Sequence, residues 1–137
     1  MNKVSIHKYL DNEGTITLSA SGVTFPCVNQ ANLHRQQVIE QMKDAENVTL
    51  RIVPEPSNPY DEYALRIDWN EYDVGYIPKN ADVEMMKNNG RPRRLYSKNI
   101  NKILAEYPSE LTVTLNSVYG GYNGKHYGFS VNISKIK

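Results

Sequence analysis

Asn58, Tyr60 and Asp61 flank Pro59 in the run Ser57-Asn58-Pro59-Tyr60-Asp61-Glu62-Tyr63-Ala64-Leu65-Arg66-Ile67. Proline fixes its own φ and drives the preceding residue toward an extended backbone, so the loop is stiff where it presents these three side chains. An amide offers a donor and an acceptor, a carboxylate offers acceptors only, and a tyrosine offers a flat face with a polar tip. Together they suit a ligand with a planar group and hydroxyls, such as a nucleoside. The competing reading is purely local: Asn58 and Asp61 hold a turn through side-chain to main-chain hydrogen bonds. The loop's own residues leave both readings open.

Other constellations are weaker. Cys27 stands seven residues before His34, but a nucleophilic cysteine also needs a base within hydrogen-bond reach and a group to orient it. A small core residue is the preferred reading of Cys27. His7, His34 and His126 lack the spacing of a metal site. Asp61, Asp68 and Asp73 could gather around magnesium as in a nuclease, but solvated turn carboxylates are preferred. Phosphate-binding glycine motifs are absent, since Gly120-Gly121 falls in a hairpin tip. No catalytic residue, metal or cofactor is expected.

Charge enters through its distribution. The 137 residues carry a net +1, which by itself does not point to nucleic acid. From Lys87 to Lys102, however, Lys87, Arg91, Arg93, Arg94, Lys98 and Lys102 follow one another with no acidic residue between them. Such a run could track a phosphate backbone or could simply be solvated. The one cysteine excludes an internal disulfide, and no apolar run is long enough to cross a bilayer. With no secretory leader visible after Met1, a cytoplasmic protein is expected. Ten tyrosines against two phenylalanines suit half-buried strands, and equally a surface that stacks flat ligands.

The elements that must position these residues follow from periodicity. Residues 3–10 and 14–20 read as a hairpin, and 22–26 as an extended segment leaving it. A helix is expected over 32–44, capped by Asn32, with Arg35 facing outward. Strands are expected over 48–53, 63–69 and 74–78, with the three prolines of 54–59 making a stiff loop. Short helices are expected over 81–89 and 96–106, and a last hairpin joins 111–115 to 129–133 around a glycine-rich tip. The predicted fold is mainly β (α+β), a small OB-like or SH3-like barrel of about six strands with two or three peripheral helices, in one domain spanning 1–137.

The Asn58-Pro59-Tyr60-Asp61 turn, the Ala64-Leu65-Arg66-Ile67 strand and the Gly75-Tyr76-Ile77-Pro78 strand resemble a HIRAN domain. So do Gly22-Val23 and Phe25 ahead of a helix carrying Arg35. The resemblance is best over residues 20–87. It implies an OB-like barrel that binds single-stranded DNA at a 3′-hydroxyl end, in a family also found fused to helicases and nucleases. By resemblance, Asp61 would accept the terminal hydroxyl, Tyr60 and Phe25 would sandwich the last base, and Asn58 would contact the sugar or base edge. Tyr76 and Lys79 would lie near the nucleic-acid backbone, and Tyr127 would close the pocket from the C-terminal hairpin. Thr24 departs from the pattern, standing where an arginine contacts phosphate. Arg35 is a candidate substitute, and Arg91, Arg93 and Arg94 are further candidate phosphate contacts.

The expected function is therefore capture of single-stranded DNA ends without catalysis. The alternative is a recruitment module for a helicase or nuclease partner, and a magnesium-dependent hydrolase is the least favoured.

Overall fold

The computed structural model describes residues 6–11, 14–30, 32–86, 92–107 and 110–136. Three short helices, α1 (Ile6–Asp11), α2 (Arg35–Asp44) and α3 (Ile100–Leu104), accompany eight strands. The strands are β1 (Ile16–Ser19), β2 (Thr49–Pro54), β3 (Leu65–Trp69), β4 (Tyr72–Tyr76), β5 (Ala81–Met86), β6 (Pro92–Ser97), β7 (Leu111–Tyr119) and β8 (Gly128–Lys135). They form one antiparallel sheet in the order β4-β3-β2-β7-β8-β1-β5-β6.

The ladders make this sheet open. The expected barrel is reduced to one bridge between its two arms. Ser21, two residues past β1, exchanges both backbone hydrogen bonds with Tyr76 at the end of β4, each 2.9 Å long. The approach is close enough to need a glycine. A Cβ on Gly75 would stand 2.8 Å from the Ser21 carbonyl oxygen, with Phe129 and Val23 next nearest.

Burial follows the ladders. Ile16 and Leu18 of β1, Val113 of β7, and Phe129, Val131 and Ile133 of β8 are buried with Ile67 of β3 and Val74 of β4. Val38, Ile39 and Met42 turn one face of α2 into the same core. Each such side chain removed from water contributes about 1.5–3 kcal/mol. This shared core fixes the strand–loop–strand unit from β2 to β4 against α2.

Several expectations are corrected. Residues 6–11 are a helix rather than a strand, because Ile6 and Leu10 are the buried pair and lie one helical turn apart. The helix expected over 81–89 is β5: Val83 and Met85 are buried, whereas Asp82 is exposed and Glu84 half-buried, a period of two. Residues 87–89 of that expectation lie outside the described residues. Tyr96 and Ser97 belong to β6, so the helix expected over 96–106 shrinks to Ile100–Leu104.

Helix α2 begins at Arg35 and is capped by His34 rather than Asn32, which has a left-handed φ of 63°. His34 Nδ1 accepts the Gln36 N–H (3.1 Å), while the Gln37 side chain accepts the His34 N–H (2.8 Å).

Gly75→Ala is expected to break the Ser21–Tyr76 bridge and cost about 1–3 kcal/mol of overpacking strain. A lowered urea midpoint with an unchanged m-value would show it, whereas an unchanged midpoint would mean that the two arms do not depend on this approach.

Candidate functional site

A cleft of about 1040 Å³ lies between the Gly22–Val28 segment and the loop from Pro54 to Asp61. Arg35, Ala64, Arg66, Tyr76, Ile77 and Lys79 line the space between them. Both walls are held by polar side chains whose partners are almost all internal.

The first wall hangs on Arg35 and Asp73, which are 2% and 0% exposed. Arg35 Nε and Nη2 donate to Asp73 Oδ2 at 2.8 and 2.7 Å, and its Nη1 donates to the Gly22 carbonyl at 2.8 Å. Asp73 also accepts the main-chain N–H groups of Val28 and Asn29 at about 3 Å. The Asn29 side chain in turn accepts the Asp73 N–H. One ion pair thus ties α2, β4 and both ends of the Gly22–Val28 wall.

Burial pushes the Asp73 carboxyl up, but the Asn29 and Val28 N–H groups and the Arg35 guanidinium outweigh it. The group sits below the ordinary carboxylate range. Gly22 has a φ of +70°, and a Cβ there would meet the Tyr76 ring and Arg35 Nη1 at 3.3 and 3.4 Å. Gln36 adds a clamp: it donates to the carbonyls of Val23 and Tyr127 and accepts the Tyr127 N–H.

The second wall is a self-bonded loop. Asn58 Oδ1 accepts the N–H groups of Tyr60 (2.8 Å) and Asp61 (3.2 Å), and its Nδ2 donates to Glu55 Oε1 (3.1 Å). Asn58 therefore serves the turn. Asp61 is half engaged in the same way: Oδ1 accepts the Tyr63 N–H (2.9 Å), while Oδ2 accepts from the Asn101 side chain on α3. Two acceptor positions of about four on the carboxylate remain.

Beneath this loop Glu55 accepts from Arg66 and from the Tyr76 hydroxyl, and Arg66 makes a paired contact with Asp68. The Asp68 hydrogen bond, more than any other influence, holds Arg66 in its charged form. Burial, followed by the Glu55 carboxylate, raises the Tyr76 phenol and keeps it a neutral donor.

Of the residues singled out in the sequence, Phe25, Asn58, Tyr60, Asp61, Tyr76 and Lys79 line this one cleft. Phe25 is 61% and Tyr60 94% exposed, leaving two aromatic faces free on opposite walls. Tyr127 does not join them. Its backbone is held by Gln36, its ring lies against Gly121, and Lys43 Nζ sits 5.9 Å from its centre.

Arg35 is also corrected. It is a buried structural cation, 5.1 Å from the Tyr76 ring centre, rather than an outward phosphate contact. Arg93 and Arg94 sit on β6 at the far edge of the sheet, and Arg94 faces Glu84 at 3.7 Å. Arg91 lies outside the described residues.

Cys27 donates to the Asp73 carbonyl while burial raises its thiol pKa, and His34 caps α2, so they form no nucleophile–base pair. Asp68 and Asp73 are cross-strand partners in the β3–β4 ladder, but each carboxylate is taken by an arginine. Among the described residues no cluster of three metal-ligating side chains occurs.

Sequence reasoning missed Glu55, Arg66, Gln36 and Asn101. Arg66 and Asp68 share one strand face by their spacing, a signal that was available. Asn101 and Gln36 act across the fold and carry no local signal.

The family model of the HIRAN domain matches residues 27–87, from the end of the first wall through β5. The chain carries a HIRAN domain. That match includes α2, the Asn58–Asp61 loop, β3 and β4. It leaves out Gly22 and Phe25 on one wall, and α3 with Asn101. HIRAN domains are in general nucleic-acid-binding modules, and most of the cleft's lining lies inside the matched part. Searches of curated proteins and of solved structures found no match. Among the described residues no helix is long and apolar enough to cross a membrane.

Asp73→Asn leaves Arg35 buried without its counter-charge and is expected to cost about 3–5 kcal/mol at pH 7. Because the folded carboxyl titrates below its unfolded value of about 3.9, its stabilisation is complete above that pH. It is lost as pH falls through the folded-state value. Urea midpoints measured from neutral to acid pH should therefore fall less steeply in the variant. Parallel curves would show that the pair is not the acid-sensitive element.

Proposed function

We propose that the cleft of this HIRAN domain captures the 3′-hydroxyl end of single-stranded DNA and performs no chemistry on it. The carrying observation is that Phe25, Tyr60 and Asp61 line one cleft, two as exposed rings and one as a half-buried carboxylate. A terminal base stacks on the rings, which tolerates any base and contributes about 1–3 kcal/mol per base. The terminal hydroxyl donates to an unused acceptor position of Asp61. A continuing phosphodiester offers no proton there and meets like charge, so the carboxylate rejects internal positions.

The electrostatics support an end rather than a track. Arg35 is neutralised by Asp73, and Arg66 by Asp68 and Glu55. Lys79 is the one cation lining the cleft for which the described residues show no salt bridge. A groove with so little uncompensated positive charge does not hold many phosphates. It accommodates one nucleoside with a neighbouring phosphate at Lys79. Thr24 carries no charge and Arg35 is inaccessible, so neither replaces the arginine of the family pattern.

A second reading has its own observation. Phe25, Pro26, Val28 and Tyr60 are exposed together along the rim, and such an apolar edge also suits a peptide segment from a helicase or nuclease.

Fluorescence anisotropy with a 5′-labelled oligothymidine separates the two readings. Binding is expected to be about tenfold tighter to a 3′-hydroxyl than to a 3′-phosphate end, the worth of one charge-assisted hydrogen bond. Asp61→Asn should narrow that gap. Tyr60→Ala should weaken binding of both ends about tenfold without unfolding the protein, since the ring is 94% exposed. The slope of log affinity against log salt should be shallow, about −0.7 for each phosphate held. Equal affinity for both ends would contradict the hydroxyl reading, and no binding at low salt would favour the peptide.

A further inference from the structure

Helix α3 lies outside the matched residues 27–87, yet it reaches the cleft at two points. Its first N–H, on Ile100, donates to the Lys79 carbonyl at 2.8 Å. The preceding Asn99, in a left-handed conformation with φ 55°, donates its N–H to the Asn80 side chain. One residue into the helix, Asn101 is 2% exposed. Its Nδ2 donates to Asp61 Oδ2 and, at 3.4 Å, to the Tyr63 carbonyl, and its Oδ1 accepts the Lys102 N–H.

The orientation of this amide is settled by its neighbours. Both groups facing Nδ2 are acceptors, and a flipped amide would set oxygen against oxygen. Asp61 is thus gripped from two sides, at Oδ1 by the Tyr63 N–H and at Oδ2 by Asn101. A side chain held at both oxygens cannot turn its carboxylate about χ2 without breaking a bond.

We propose that Asn101 is the positioning residue that sets which strand end the cleft accepts, by fixing the plane of the Asp61 carboxylate. This rests on the terminal-hydroxyl reading above. A neutral amide suits the task for a chemical reason. A lysine or arginine at this place would neutralise Asp61 and weaken its repulsion of a 3′-phosphate. A second carboxylate would share a proton with Asp61, and a protonated acid would donate to that phosphate. The amide supplies a donor with no charge and no titration. The same helix secures Lys79, so the acceptor for the terminal hydroxyl and the cation for the adjoining phosphate are referenced to one element.

The test is the ratio of affinities for 3′-hydroxyl and 3′-phosphate oligothymidine, in the unsubstituted protein and in Asn101→Leu and Asn101→Asp. Asn101→Leu is expected to bring the ratio from about tenfold to near one while both ends still bind through the rings. Asn101→Asp should make the ratio fall on acidification more steeply than in the unsubstituted protein, where the 3′-phosphate's own protonation at about pH 6 already lowers it. A purely structural role would lower stability or the affinity for both ends and leave the ratio unchanged, and that result overturns the proposal.

A ratio of one in the unsubstituted protein removes the terminal-hydroxyl reading itself, and the inference with it. Should Asn101→Leu fail to fold, the side-chain amide resonances of Asn101 in the unsubstituted protein decide. They should shift on adding the 3′-hydroxyl oligonucleotide and stay in place with the 3′-phosphate. Equal response to both contradicts the assignment.

Discussion

Asp73 has no exposed surface and Arg35 almost none, and between them they reach three separate parts of the chain. The carboxylate takes the N–H groups of Val28 and Asn29, and the guanidinium takes the Gly22 carbonyl and lies over the Tyr76 ring. Two buried charges are costly unless their hydrogen bonds are met, and here the carboxylate has several donors. The consequence is geometric. Gly22–Val28, which carries Phe25, is pinned to β4 and α2, and the opposite loop leans on Tyr76 through Glu55. Both cleft walls are referenced to one strand end. Breaking the pair would remove the alignment of the rings as well as stability.

How far this was legible in the sequence depends on the range over which each feature acts. The strands β2, β3 and β4 with the proline-stiffened loop between β2 and β3 were visible because their alternation and turn chemistry are local. The Asn58–Asp61 loop is legible as a motif, and the hydrogen bonds bear out the local reading of it, a turn held by side chains. Asn58 holds the turn through both ends of its amide, with one N–H unused among the described residues, and Asp61 is partly engaged in it.

The errors have particular causes. The alternation of Val83 and Met85 with Asp82 and Glu84 has the period of a strand, and a helix over 81–89 is incompatible with it. An arginine on a helix is expected to face water, and only Asp73, 38 residues away, makes the buried position of Arg35 tolerable. The family resemblance alone puts Tyr127 at the cleft. Gly121 and Lys43 instead supply the surface against which its ring packs. Asn101 could not be foreseen, since its importance comes from a contact 40 residues back along the chain.

Charge was the least useful guide. The basic run from Lys87 to Lys102 stood out in the sequence, yet Arg94 faces Glu84 across the β5–β6 ladder, and that pair of strands is at the sheet's far edge. The cleft, by contrast, is nearly self-neutralised. For a nucleic-acid module this shifts the weight from phosphate contacts to stacking and to one oriented carboxylate. On the proposed function, specificity then lies in the chemistry of a strand's end rather than in base sequence.

The most direct test is a crystal structure of the protein with a short oligothymidine ending in a 3′-hydroxyl. The account predicts the terminal base between Phe25 and Tyr60, with the hydroxyl on Asp61 and the adjoining phosphate toward Lys79. An oligonucleotide lying along β6, with the cleft empty, would contradict it.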